Sequence, residues 1–85
     1  DLLSSQDYKC ALSGLSIYLA KGHVDRKKNG NTASLDRIDS SIGYEVGNVQ
    51  WLHKDVNYMK QSYSQSQFVE YCRLVASNSQ QQESL

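Results

Sequence analysis

The chain has 85 residues, of which 39% are hydrophobic and 21% are charged, so it can form one small domain with one core and no second domain. Nine basic residues balance nine acidic ones, which excludes a histone-like polycation that binds nucleic acid by bulk electrostatics. The two cysteines allow one disulfide at most, which excludes a disulfide-stapled secreted scaffold and favours a reducing, intracellular setting.

Apolar runs in this sequence are short. The longest lies over residues 15–20, is interrupted by Ser16 and falls far below the roughly 20 residues that span a bilayer. No charged and then apolar leader precedes it. We therefore expect a soluble protein without a membrane segment. Because the chain begins with Asp1 and not Met, we also expect a fragment or a processed product.

The N-terminal third gives weak structural signals. Residues 1–9 have no clear period and predict an extended lead-in or a short helical turn. Gly14 predicts a turn, and Leu15, Ile17 and Leu19 then alternate as one face of a strand. Residues 21–31 are polar and predict a loop. Its basic residues either contact phosphate groups or are merely solvated, and the candidates for nucleic-acid binding are Arg26, Lys27 and Lys28.

The middle third predicts a strand, a loop, a second strand and a helix. Residues 33–38 fit a short strand with Asp36 on one face and Arg37 on the other. Serines and glycines between 39 and 47 predict a connecting loop, and residues 48–52 predict the second strand. From His53 onward, Val56, Met59 and Tyr63 repeat with a helical period.

The C-terminal third predicts one further helix. Ser64 followed by Gln67 is a capping-box pattern. Phe68, Cys72 and Val75 form an apolar stripe that is expected to pack on the middle unit. Residues 77–85 are too polar to offset the entropy of ordering, so we predict one domain over residues 1–76 and a disordered tail over 77–85.

The middle third resembles the HNH, or His-Me finger, endonucleases, especially phage-type and homing-type members. The resemblance rests on residues 34–44, with Leu-Asp-Arg-Ile-Asp and Gly-Tyr, and on residues 47–60, and it covers residues 10–14 loosely. It implies an α+β fold, namely a small ββα-metal domain with a short β-hairpin packed on helices. It also implies a divalent-metal-dependent DNA endonuclease of phage, homing or restriction type in the cytoplasm of a bacterial or phage-infected cell.

The resemblance assigns roles to particular side chains. Asp36 and Asn57 match the metal ligands of the family, and their hard oxygen donors suit one Mg²⁺ or Mn²⁺ ion. Asn48 matches the central asparagine, which orients the catalytic base and ties the loop. Arg37 stands where the family has its catalytic histidine. Arginine stays protonated, so it can bind phosphate but cannot readily act as the base.

Three further residues complete the predicted site or its surroundings. Lys60 follows Asn57 by three positions on one helical face and is a fourth candidate for DNA binding. His53 is either a packing residue, a surrogate base or metal neighbour, or a phosphate contact, and we keep it among the catalytic candidates. Tyr44 lies in the connecting loop, where an anchoring role is favoured over contact with the substrate.

Structural zinc is not expected. Many relatives carry two cysteine pairs around the core, whereas this chain has Cys10 with Ser13 and His53 with Val56 at those places. Two soft ligands do not make the closed tetrahedral site that structural zinc requires. We expect apolar packing and a hydrogen bond in its place.

Two other classes of function stay open at this stage. The arginine at position 37 makes an HNH-derived DNA-binding module with weak or no cleavage credible. A small interaction domain would use its Asp and Asn residues only in turns and caps. A homodimer, or fusion to a DNA-recognition domain outside this chain, is also open, and the residues do not predict a recognition sequence.

Overall fold

The computed structural model describes residues 1–20 and 30–83. Their elements, in chain order, are α1 (Leu2–Ser5), β1 (Ala33–Arg37), β2 (Val49–His53), α2 (Lys54–Lys60) and α3 (Gln65–Glu83). The two strands form an antiparallel sheet, and the strand, loop, strand and helix follow one another as predicted. The α+β class and a layout compatible with ββα are thus confirmed. Residues 21–29 of the predicted basic loop, with Arg26, Lys27 and Lys28, lie outside the described residues.

Helix α1 is a single turn that docks on the edge of β2. The Asp1 carboxylate caps it by accepting a hydrogen bond from the amide of Ser4 at 2.9 Å, and Leu3 enters the core. The side-chain amide of Gln6 then satisfies the backbone of Trp51 as a neighbouring strand would. It accepts a hydrogen bond from the amide of Trp51 and donates one to the carbonyl of Trp51, both at 2.9 Å. The short helical turn was one of the two predicted alternatives for this segment.

The predicted strand over residues 15–19 is wrong. This segment makes only isolated bridges, one between Lys9 and Ser16 and one between Tyr18 and Thr32. Ile17 is buried, whereas Leu15 and Leu19 on the same predicted face are exposed. Alternation alone does not produce a strand, because a strand also needs one partner along its whole length.

The hairpin places polar residues on the face that α2 covers. Ser34 pairs with Leu52, and Asp36 pairs with Gln50. Residues directly opposite each other in an antiparallel ladder share a face, so Asp36 and Gln50 point to the same side as Ser34. Arg37 follows Asp36 and points to the other side.

Helix α2 begins where the sequence predicted it. His53 is its N-cap, and its Nδ1 accepts a hydrogen bond from the amide of Asp55 at 3.1 Å. Val56 is buried, but Met59 is exposed, and Tyr63 lies beyond the helix end at Lys60. The predicted apolar period therefore holds only for its first member.

Helix α3 is longer and less covered than the sequence predicted. Phe68 is buried, but Cys72 and Val75 are exposed, so the predicted stripe packs on the middle unit only at its start. The helix continues to Glu83, through most of the segment predicted to be a disordered tail. Extending a formed helix adds one hydrogen bond per residue fixed, and Gln and Glu are good helix formers, so polarity alone does not end it.

The cap at Ser64 offers a direct test of how α3 begins. The Ser64 hydroxyl accepts a hydrogen bond from the amide of Gln67 at 3.3 Å. We expect Ser64→Ala to lower the free energy of unfolding by about 1 kcal/mol, because that amide loses its acceptor. Urea denaturation followed by circular dichroism measures the change. Ser62→Ala, at an exposed serine just before the helix, is the matched control, and an equal loss there would contradict the capping role.

Buried polar residues are as numerous as buried apolar ones in the described part of the chain. The apolar core consists of Leu3, Cys10, Ile17, Leu52, Val56 and Phe68. The buried polar residues are Thr32, Asp36, Asn48, Gln50, His53 and Lys60. All six polar residues lie on the hairpin and α2 or directly beside them, and burial of polar groups is favourable only when they find partners. This polar cluster is the candidate site.

No helix of the described part of the chain combines the length and the apolar character that crossing a membrane requires.

Candidate site between the hairpin and helix α2

A buried ion pair lies at the centre of the site. The ammonium of Lys60 lies 3.1 Å from Oδ1 of Asp36, and the two side chains are 0% and 6% exposed, respectively. Lys60 Nζ also donates to the carbonyl oxygen of Arg37 at 3.0 Å. Lys60, which was predicted to contact DNA phosphates, instead neutralises Asp36 within the fold.

The second oxygen of Asp36 is also engaged. Gln50 Nε2 donates to Asp36 Oδ2 at 3.0 Å and to Oε1 of Gln65 at 2.8 Å. The network thus joins β1, β2, α2 and the start of α3. Gln50 was not among the predicted site residues, although a polar side chain at an inward position of β2 was a usable signal.

Asn57 faces the same side of the hairpin as Asp36. Its Nδ2 donates to the hydroxyl of Ser34 at 2.6 Å. Ser34 and Asp36 are two positions apart on one strand and therefore share a face. The structure thus brings the two predicted metal ligands to one face, but each of them already holds a protein partner there.

Asn48 ties the loop between the strands. Its Oδ1 accepts from the amide of Asp39 at 2.9 Å. Its Nδ2 donates to the carbonyl oxygens of Asp39, Ile42 and Gly43 at 3.1, 3.3 and 2.9 Å, respectively. Asn48 thus ties the loop through both ends of its side-chain amide.

Arg37 is directed toward this loop and not toward Asp36. Its guanidinium carbon lies 5.2 Å from the ring centroid of Tyr44, and its Nη1 donates to the carbonyl of Ile42 at 3.4 Å. Tyr44 is 66% exposed. Tyr44, which was predicted to anchor the loop, contacts Arg37 and is largely exposed, whereas the loop backbone is held by the buried amide of Asn48.

His53 uses both ring nitrogens inside the fold. Nδ1 accepts from the amide of Asp55, and Nε2 lies 3.1 Å from Oδ1 of Asn31. An accepting Nδ1 places the proton on Nε2, which then donates to Asn31. The side chain is buried. Of its three interpretations, this geometry favours the packing histidine, since a general base needs a nitrogen within reach of its substrate.

The positions that match the cysteine pairs of relatives come together in space. Cys10 is buried in the same core cluster as Val56, and its sulfur accepts from the amide of Ser13 at 3.4 Å. Burial acts to raise the pKa of the Cys10 thiol, but hydrogen bonds from Ser13 and from the backbone of His53 outweigh it and lower the pKa below its ordinary value. Cys10 is thus held by apolar packing and hydrogen bonds.

The arrangement does not fit a divalent cation. Both oxygens of Asp36 already accept hydrogen bonds, the side chain is almost fully buried, and a positive charge lies 3.1 Å away. Mg²⁺ demands near-octahedral coordination and usually keeps several water ligands, for which a carboxylate that is only 6% exposed leaves little room.

Comparisons with protein-family models, with curated proteins and with solved structures found no match to this chain. The resemblance of residues 33–60 to HNH endonucleases therefore stays a prediction from the sequence.

Proposed function

We propose that this chain is a DNA-binding domain built on a ββα unit of the HNH type, without efficient cleavage. The observation that carries this proposal is the buried pair of Asp36 and Lys60. The carboxylate that the resemblance assigns to the metal has an ammonium group as its counterion. Arg37, which cannot readily act as a base, occupies the position of the catalytic histidine.

DNA as the partner rests on the resemblance and on the loop side of the hairpin. Residues 39–47 are held by Asn48 and present Tyr44 beside the guanidinium of Arg37. An arginine next to an exposed aromatic ring supplies hydrogen-bond donors for a phosphate group, and the ring supplies a stacking surface for a base. The balanced net charge means that such local groups, rather than bulk attraction, have to provide the affinity.

Divalent-metal-dependent cleavage of DNA, with Mg²⁺ or Mn²⁺, is the second candidate. It is favoured because Asn57 of α2 contacts the same face of the hairpin that carries Asp36. It requires Lys60 to move away from Asp36. While the ammonium group holds the buried carboxylate, a metal ion with its water ligands has no room to bind there.

The bacterial or phage-infected cytoplasm is the proposed setting. It follows from the HNH resemblance, and the two free thiols, Cys10 and Cys72, are compatible with a reducing compartment.

Supercoiled plasmid separates the two candidates in one experiment. The purified chain is incubated with plasmid in Mg²⁺, in Mn²⁺ or in EDTA, and binding to a labelled duplex is measured in parallel by fluorescence anisotropy. We expect binding in all three conditions, weakening as salt rises, with the plasmid intact. Nicking or linearisation that requires the metal would replace the first candidate by the second. A chain that binds no DNA in any condition would overturn both and favour the interaction domain.

A further inference from the structure

The tip of the loop between the strands exposes two large apolar side chains. Tyr44 is 66% exposed even though the guanidinium of Arg37 lies against its ring, and Val46 is fully exposed. Neither side chain contributes to the core. An exposed aromatic ring with a guanidinium against it, rather than apolar exposure alone, makes this tip a candidate for contact with a ligand.

The loop that carries them is held in place at several points. Besides the side-chain contacts of Asn48, the backbone amide of Asn48 donates to the carbonyl of Glu45 at 2.9 Å. The carboxylate of Asp39 accepts from the amide and the hydroxyl of Ser41 at 3.0 and 2.6 Å. These Ser41 contacts lower the pKa of Asp39 below its ordinary value, which keeps the acceptor ionised. A ring on a fixed loop loses little freedom when it binds.

We propose that Tyr44 and Arg37 together form a stacking site for one unpaired nucleobase of DNA. The proposal rests on the proposed DNA-binding function and names the form of DNA that this surface takes. The exposed part of the Tyr44 ring offers its π-face to a base, and stacking of this kind does not depend on the identity of the base. Arg37 has five N–H donors and uses one of them on Ile42, so others can reach the adjacent phosphate.

Single-stranded or locally unpaired DNA fits this surface better than an intact duplex. Bases in a duplex already stack on both faces, so an aromatic ring gains a base face only where a base is unpaired or a step is opened. Arg37 also connects the loop to the buried pair, since its carbonyl accepts from Lys60. The stacking site therefore borders the polar cluster described above.

The test compares binding of single-stranded and duplex DNA by the whole chain and its variants. The probes are a labelled strand of about 20 thymidines and the matching duplex, both measured by fluorescence anisotropy. We expect Tyr44→Ala to weaken binding of the single strand about tenfold and to change duplex binding by less than about twofold. Tyr44→Phe keeps the ring and is expected to bind like the natural chain.

Tyr58→Ala is the matched control, because Tyr58 is a 77% exposed tyrosine on α2 and not on the loop. A strand containing 2-aminopurine adds a spectroscopic signature: stacking quenches its fluorescence, and Tyr44→Ala is expected to abolish the quenching. Equal effects of the two alanine variants, or quenching that survives Tyr44→Ala, would overturn the stacking site while leaving DNA binding intact. Failure of the natural chain to bind either probe would overturn the proposed function as well.

Discussion

Lys60→Met is expected to lower the free energy of unfolding by about 3–5 kcal/mol, because it leaves the carboxylate of Asp36 buried without a counterion. Lys60 is 0% exposed, so water cannot replace the lost ammonium without opening the contact between α2 and β1. A domain of this size has a total stability of about 5–15 kcal/mol. The single substitution is thus expected to remove a large share of it.

Urea denaturation followed by the fluorescence of the single tryptophan, Trp51, measures this effect. Lys9→Met, on the exposed side of the N-terminal segment, is the control for losing one lysine. The double variant Asp36→Asn with Lys60→Met is expected to recover more than half of the loss, because it removes the uncompensated charge. A Lys60→Met chain as stable as Lys9→Met would contradict the buried pair.

The same pair changes how a substitution of Asp36 is to be interpreted. The resemblance assigns Asp36 to the metal. In the structure it is buried, and Asp36→Ala strands the ammonium of Lys60 and one donor of Gln50. We therefore expect Asp36→Ala to destabilise the domain strongly, so a loss of DNA activity in that variant does not by itself identify a metal ligand.

The hairpin and α2 were predictable because their signals are local. Alternating residues define β1, and the start of the helical period at His53 marks the end of β2. The helical spacing also places Asn57 and Lys60 correctly on one face. Contacts between elements were not predictable in this way: the partner of Lys60 lies 24 positions earlier in the chain. Lysines are rarely buried, which made a solvent-exposed phosphate contact the natural prediction.

Tyr44 and residues 15–19 also depart from the sequence prediction, because apolar side chains there are exposed and not buried. Aromatic and apolar residues are expected to be buried in a domain this small, but the pattern does not say which of them find neighbours. Tyr44 stays exposed because the short amide side chain of Asn48 reaches four backbone groups and holds the loop from inside. Leu15 and Leu19 stay exposed because their segment bridges to two different partners in turn.

Helix α3 differs from prediction because it is longer than the part of the core on which it packs. Phe68 reaches the core, whereas Val69, Leu74 and Val75 remain exposed in the described part of the chain. Helical period correctly identified the element. It does not show how far along the helix the neighbouring elements extend.

Asn48→Ala is expected to lower the free energy of unfolding by about 2–3 kcal/mol, because the amide of Asp39 loses its acceptor and three carbonyl oxygens lose their shared donor. Asn57→Ala is the matched control, because it removes an asparagine with one hydrogen bond, to Ser34, on the less buried α2 surface. It is expected to cost about 1 kcal/mol. Equal costs for the two variants, measured by urea denaturation, would contradict the loop-tying role.

Asn48→Asp distinguishes the two halves of this contact. The new carboxylate still accepts from the amide of Asp39, but its second oxygen replaces the NH₂ group that faces the carbonyls of Asp39, Ile42 and Gly43. We expect this variant to be at least as unstable as Asn48→Ala at neutral pH, and to regain stability in acid, where protonation restores one donor. Hydrogen exchange at the amide of Asp39 is the decisive measurement, because that proton is expected to exchange fast in Asn48→Ala and to keep part of its protection in Asn48→Asp. Equal exchange rates in the two variants would mean that the backbone, and not the side chain of Asn48, holds the loop that presents Tyr44.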